Sequence, residues 1–420
     1  MSARNRELAN LLVVGALTAI GFASVYIARQ EIISTASLSY AGFFFVLYLG
    51  AHLIARRTVP YADPYLLPMA GLLTAIGVTE IYRLDPTDAF RQGVWIVIAL
   101  GALAATLLLL HRDYRRLESY KYLFGLTSIG LLALPALPGL GTTVNGARLW
   151  IHFGSLRFQP GELAKVMLIV FLAGYLREKR EVLAQGRLKD FGPLLLIWGC
   201  AMLVLVETND LGSALLYFGI FLAMLYVATG RLAYVLIGAC LFVGGSAGAY
   251  KLIPHVRERV QIWLDPWPHV HTTGYQIVQS LYAISNGGFG GSGLGKGTFT
   301  TTAGTQLIPS ANTDFIYSAL AQELGLIGAA ALLLVFMLFI ARGMRIAMLA
   351  DDGFSKLLVA GLTFSFALQT FIIVGGILRL IPLTGITLPF VSYGGSSVVA
   401  NFVLLAGLML VSNRANAERA

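Results

Sequence analysis

"ANTDFIYSALAQELGLIGAAALLLVFMLFIAR", Ala311 to Arg342, decides what kind of protein this is. From Phe315 to Ile340 the run is apolar and holds one charged side chain, Glu323. It exceeds the roughly 20 residues that a helix needs to cross the hydrocarbon of a bilayer. A carboxylate inside such a run is costly and marks a functional or paired group. A second one, Asp314, stands at its mouth. At about 1.5 Å per residue, Glu323 lies roughly 13 Å further in.

Working outward, similar runs fill the chain. The 420 residues are 57% hydrophobic and 12% charged, about half the charged fraction of a soluble domain. Twelve spans are expected, near 9–28, 37–55, 64–82, 92–111, 121–138, 161–177, 191–207, 211–229, 231–250, 313–341, 357–376 and 395–413. The runs are continuously apolar rather than alternating, which favours helices packed on helices over a β-barrel. The fold class is therefore an all-α polytopic membrane protein. Cys200 and Cys240 lie in apolar runs and read as small hydrophobes, not as a disulfide framework or metal ligands.

The net charge of +9 reflects the positive-inside bias of such proteins and not nucleic-acid binding. With the N-terminus inside, 19 of the 30 Lys and Arg residues fall on the inner side. The long segment 251–312 holds four of them, Lys251, Arg257, Arg259 and Lys296. Both termini are then cytoplasmic and 251–312 is extracytoplasmic. The motif-rich segments 139–160, 208–210, 251–312 and 377–394 all share that outer side, while the inner halves of the spans read as plainly apolar.

Those segments carry the chemistry. In "VNGARLWIHFGSLRFQPGELAKV", Val144 to Val166, Asn145-Gly146 signals a turn and Pro160 suits the first turn of a helix. Trp150, Ile151 and Phe153 suit an interfacial re-entrant piece. Glu162 and Lys165, three apart, share a helix face. They form either a neutralising ion pair or, with Arg148, a cationic site for a pyrophosphate. In "ETNDLGSALL", Glu207 to Leu216, Asp210 sits at a helix N-cap, and capping alone explains it. "HVRERVQIWLDPW", His255 to Trp267, reads as amphipathic and interfacial. "YQIVQS" at Tyr275 to Ser280 contains Gln276. "NGGFGGSGLGKG", Asn286 to Gly297, reads as a flexible loop or a close backbone approach to a ligand, not as a dinucleotide fingerprint. Asp314 either caps the helix it precedes or acts in chemistry, and Glu323 could pair with a cation from another span. "IPLTGITLPFVSYGGSS", Ile381 to Ser397, reads as a re-entrant turn lining a polar cavity and contains Ser396.

With these residues in view, the chain resembles the SEDS family, the RodA/FtsW proteins of bacterial shape, elongation, division and sporulation. "NGARLW", "FQPGELAK", "NDLGSALL", "YQIVQS", "GLGKG", "IPSANTDFIYSALAQELG" and "IPLTGITLPFVSYGGSS" occur in the family's order between Asn145 and Ser397. Gly161 stands where a serine is common and Gln322 where a glutamate is common. The resemblance implies a core of ten spans, so twelve here would mean an extra N-terminal pair. It divides the chain into motif-free helices over 1–120 and a catalytic core over 121–420. It also implies a peptidoglycan glycosyltransferase in the bacterial cytoplasmic membrane, polymerising lipid II, the undecaprenyl-pyrophosphate-linked disaccharide peptide, at the outer face. Asp314, in "TDF", would be the catalytic base. Arg148, Glu162, Lys165, Asp210, Gln276, Glu323 and Ser396 would meet substrate. A Mg or Mn ion could accompany the pyrophosphate, with no metal site in the protein itself. Besides membrane lipids, the expected partner is a class B penicillin-binding protein against the spans at 313–376. The competing reading is a lipid II flippase or another membrane transporter, which needs polar groups along the whole path.

Overall fold

The computed structural model describes residues 2–30, 35–144, 147–154, 156–185, 192–298 and 307–419. The turn signal at Asn145-Gly146 lies outside these residues. The helices in chain order are α1 (Ala3–Gln30), α2 (Thr35–Thr58), α3 (Leu66–Leu84), α4 (Pro86–Leu110), α5 (Arg116–Ser119) and α6 (Lys121–Ala133). After a small sheet come α7 (Pro160–Glu178), α8 (Arg180–Ala184), α9 (Gly192–Glu207), α10 (Leu211–Thr229), α11 (Leu232–Leu252) and α12 (Pro254–Leu264). The chain closes with α13 (Tyr275–Gly287), α14 (Ile316–Leu349), α15 (Gly353–Ile377) and α16 (Gly395–Ala417).

Each of the twelve expected spans coincides with a helix, but only eight of the described helices are long and apolar enough to cross a membrane by that measure alone. α6 and α9 are shorter apolar helices. α3 and α7 carry charges within their length, among them Glu80, Arg83, Glu162 and Lys165.

Local chemistry sets the boundaries. Asp85 opens α4 by accepting from the N–H of Thr87 at 2.8 Å, ahead of Pro86. Asp210 opens α10 by accepting from the N–H of Ser213 at 2.9 Å, and Gly230 closes it at φ 69°. α14 breaks where Gly325 takes φ 67° and ψ −172°, so the helix that begins beside Asp314 is kinked in its third turn.

The bundle centres on α15 and α16, which are buried on most sides. α16 packs on α4 and α7, and α15 packs on α14, α7 and α10. Small residues allow the close approach that membrane helices require. A side chain at Gly395 would run into the ring of Trp95 on α4, and one at Gly361 would meet Ile169 of α7 at 2.8 Å. α11 lies at the edge, almost wholly exposed, beside α10 and α12.

The stretch around Trp150, expected as an interfacial re-entrant piece, is built of strands. It forms an antiparallel sheet of β1 (Gly141–Val144), β2 (Ala147–Phe153) and β3 (Leu156–Phe158) in the order β1-β2-β3. Gly141 pairs with Ile151, and Ile151 with Phe158. Strand pairing satisfies the backbone groups that a bare loop would leave open. The sheet docks on the bundle through Phe158, whose ring stacks on Trp95 at 6.4 Å. A buried polar network was also unexpected. Glu7 of α1 binds Arg4 at 2.6 Å and His52 of α2 at 2.7 Å, and Arg4 donates to the carbonyl of Ala62.

Candidate active site

The residues after α15 leave helical geometry. Arg379 takes φ 59°, and the chain then runs without regular structure through Leu383 and Thr387 and turns over 389–393 before α16. This segment is the spine of the site. On one side lies a cavity of about 490 Å³, walled by α12, α13 and the turn before α14. Asp314, Arg259, Gln276, Trp263 and Arg379 all line it.

α12 is positioned by reciprocal bonds to the spine. The indole of Trp263 donates to the carbonyl of Arg379 at 2.9 Å, and Arg379 returns two bonds to the carbonyl of Trp263, at 2.8 and 3.1 Å. That presents Arg259 to the cavity, where its Nη1 donates to the carbonyls of Leu383 at 3.2 Å and Thr384 at 3.0 Å. Gln276 projects from the first turn of α13 and donates to the carbonyl of Pro309 at 3.2 Å.

Asp314 does not cap α14. Phe315 holds the cap position, and there is no side-chain cap bond. Asp314 instead turns toward Gly385 on the spine, where an added Cβ would lie 3.6 Å from its carboxylate. Burial raises its pKa to about 6, against the opposing pull of the Arg259 charge and a bond from Thr313. The same burial lowers the pKa of Arg259, while Asp314 and Asp210 raise it.

A second polar cluster is tied to the spine. Lys165 is buried on α7 and donates to Glu162 at 2.8 Å and to Gln369 of α15 at 2.6 Å. Gln369 in turn donates to the carbonyl of Thr387 at 3.0 Å, which ties the cluster to the spine. Asp210 also receives the amide of Gln159 at 3.4 Å, and burial raises its pKa despite its bonds to Ser213. Ser396 accepts from the N–H of Gln159 at 2.9 Å and locks the start of α7 to α16.

Two expected substrate contacts lie elsewhere. The guanidinium of Arg148 donates to the carbonyl of Leu137 at 2.9 Å, within the sheet and its adjoining turn. Glu323 is fully buried and away from the cavity. It pairs with Arg83 of α3 at 2.7 Å and accepts from the N–H groups of Gly295 at 2.8 Å and Gly297 at 3.0 Å. The glycine-rich stretch is therefore stitched to α14 and its glycines serve close backbone contact. Sequence reasoning missed Arg259, Arg379 and Gln369. Arg259 had a usable signal, since it lies one turn before Trp263 on an amphipathic helix.

The Glu162–Lys165 pair yields a stability prediction. Replacing either residue alone strands a charge and costs about 3–5 kcal/mol, nearer the lower figure for Glu162 because Lys165 keeps Gln369. The double variant Glu162→Gln, Lys165→Met unfolds at a higher temperature than either single variant in detergent. A double variant no more stable than the singles removes the pairing argument.

The comparisons agree with this architecture. The family model FtsW/RodA/SpoVE, described as cell cycle protein, matches residues 64–417. The chain is 40% identical to "Peptidoglycan glycosyltransferase RodA" of Mycobacterium leprae, over 98% of this chain and 91% of that one. It is 34% identical to "Probable peptidoglycan glycosyltransferase FtsW" of Geobacter metallireducens, over 84% and 95%. A solved chain from "Structural coordination of polymerization and crosslinking by a peptidoglycan synthase complex" superposes with a TM-score of 0.70 at 28% identity, covering 84% of this chain and 98% of that one. On the match of residues 64–417, the chain belongs to the FtsW/RodA/SpoVE family of cell cycle proteins.

Proposed function

We propose that this protein is a peptidoglycan glycosyltransferase that polymerises lipid II into glycan strands at the outer face of the bacterial cytoplasmic membrane. The observation that carries the reading is Asp314, a carboxylate of raised pKa in a large cavity, with Arg259 opposite. Its own helix does not need it as a cap.

In this reading Asp314 accepts the proton of the acceptor sugar's 4-hydroxyl. The freed oxygen bonds to the anomeric carbon of the donor as the bond from that carbon to the lipid pyrophosphate breaks. Attack opposite the leaving group inverts the anomeric centre, so a single carboxylate suffices, unlike the carboxylate pairs of glycosidases. Arg259 faces the cavity and is placed to offset the charge that gathers on the departing pyrophosphate. Lys165 and Glu162 hold Gln369, and through it the spine. A Mg or Mn ion that accompanies the pyrophosphate would bind mainly through phosphate oxygens, because the described residues include no group of three or more His, Cys, Asp or Glu side chains that could hold a metal.

The cross-linking partner in this reading is a class B penicillin-binding protein seated on α14 and α15. There α14 exposes Leu326, Ile327, Leu334, Met337 and Leu338. The test of the function is glycan-strand synthesis from purified lipid II by the purified protein, with and without that transpeptidase. No strands in either arm would end the proposal.

Both termini are assigned to the cytoplasm and 251–312 to the outside. Ser292 is exposed on the outer segment, so a cysteine placed there reacts with a membrane-impermeant thiol reagent in intact cells. Labelling only after permeabilisation would reverse the orientation and with it the outward-facing site.

A further inference from the structure

We propose that the polar ends of α1, α3, α14 and α16 form a binding site for the phosphate headgroup of an anionic phospholipid. A pocket of about 160 Å³ opens there, sharing no lining residue with the cavity of Asp314. Arg6, Arg342 and Arg345 line it, with Asp63 as its one acidic lining residue. Arg342 is held in place. It lies 3.3 Å from Asp63 and its guanidinium covers the ring of Tyr65 at 4.4 Å. Arg6 and Arg345 are exposed and take part in no ion pair among the described residues. Arg6 is nevertheless well placed, because its neighbours Arg4 and Glu7 anchor the start of α1 to His52 and Ala62.

Three guanidinium groups against one carboxylate leave an excess of positive charge. Guanidinium forks match the oxygens of a phosphate. The location selects a lipid over a soluble anion. The pocket sits at the ends of membrane helices, where basic recesses between spans take lipid headgroups. Ile346, Leu349 and Ala415 add apolar contacts to its lining. From its edge, Met348 and Met344, four apart, lie on one exposed face of α14, a track for an acyl chain.

The test uses the full chain in neutral detergent, with thermal unfolding followed as lipid is added. Phosphatidylglycerol raises the unfolding temperature of the parent protein by binding the folded state. Phosphatidylcholine and inorganic phosphate do not. In the double variant Arg6→Ala, Arg345→Ala, the phosphatidylglycerol needed for half the effect rises about tenfold or more. Neither side chain bonds to another side chain, so the fold is retained. Lys356→Ala, an exposed basic change at the start of α15, leaves the response as in the parent. An unchanged response in the double variant overturns the site. So does equal stabilisation by phosphatidylcholine, and stabilisation by inorganic phosphate alone overturns its assignment to lipid.

Discussion

Asp314→Asn lowers glycan-strand synthesis from lipid II by at least the roughly 10²–10⁴-fold that general-base catalysis supplies. The protein still folds and inserts. Asparagine keeps the size of the side chain, and α14 draws no cap bond from this position. Removing the charge also removes its unfavourable burial, so the variant is at least as stable as the parent. The raised pKa adds a second signature. A base must be deprotonated to work, so kcat/KM for strand synthesis falls about tenfold per pH unit below the pKa of about 6 and levels off above it. In Arg259→Met the opposing positive charge is gone, and the fall begins at a higher pH. Near-normal synthesis by folded Asp314→Asn would sink the proposed base.

What could be read from the sequence divides along contact range. The spans were legible because backbone in lipid must bond to itself, which forces long apolar runs into helices. Asp210 and the Glu162–Lys165 pair were legible because each acts within a single turn. The partners that complete the site are not local. Arg259 approaches Asp314 across 55 positions, and the spine reaches Lys165 through Gln369 of α15. Nothing in the amphipathic pattern of α12 says which carboxylate its arginine will face. The strands within 141–158 were not legible because they are short and their aromatic residues suit a membrane interface equally well. The sequence left capping and chemistry both open at Asp314 for a related reason. A residue one position before its helix can turn either way, and the proximity of Gly385 places it in the cavity wall. Arg4, Glu7 and His52 escaped notice because each alone looks like an ordinary polar residue at a helix end.

The largest loss of stability is expected at Arg83. This guanidinium binds Glu80 one turn earlier at 3.1 Å and Glu323 on α14 at 2.7 Å, and all three side chains are nearly or fully buried. It also donates to the carbonyl of Gly297. Arg83→Met therefore leaves two buried carboxylates without the cation they share, and removing one partner of a buried ion pair costs about 3–5 kcal/mol. Glu323→Gln is milder. It keeps an acceptor for the Gly295 and Gly297 N–H groups, and Arg83 retains Glu80. Glu323→Ala costs more than Glu323→Gln, because the N–H groups of Gly295 and Gly297 lose their acceptor. The effect is not confined to stability. The loop that Glu323 holds joins α13, which carries Gln276, to the turn that carries Asp314. Loosening it separates the cavity wall from the base, so in Glu323→Ala the loss of strand synthesis exceeds the unfolded fraction. The check is thermal unfolding of the three variants in detergent, with strand synthesis measured per folded molecule. If Arg83→Met unfolds at the parent's temperature, the buried pairing of α3 with α14 is wrong. If Glu323→Ala synthesises strands at the parent's rate per folded molecule, the loop supports the fold without positioning the site.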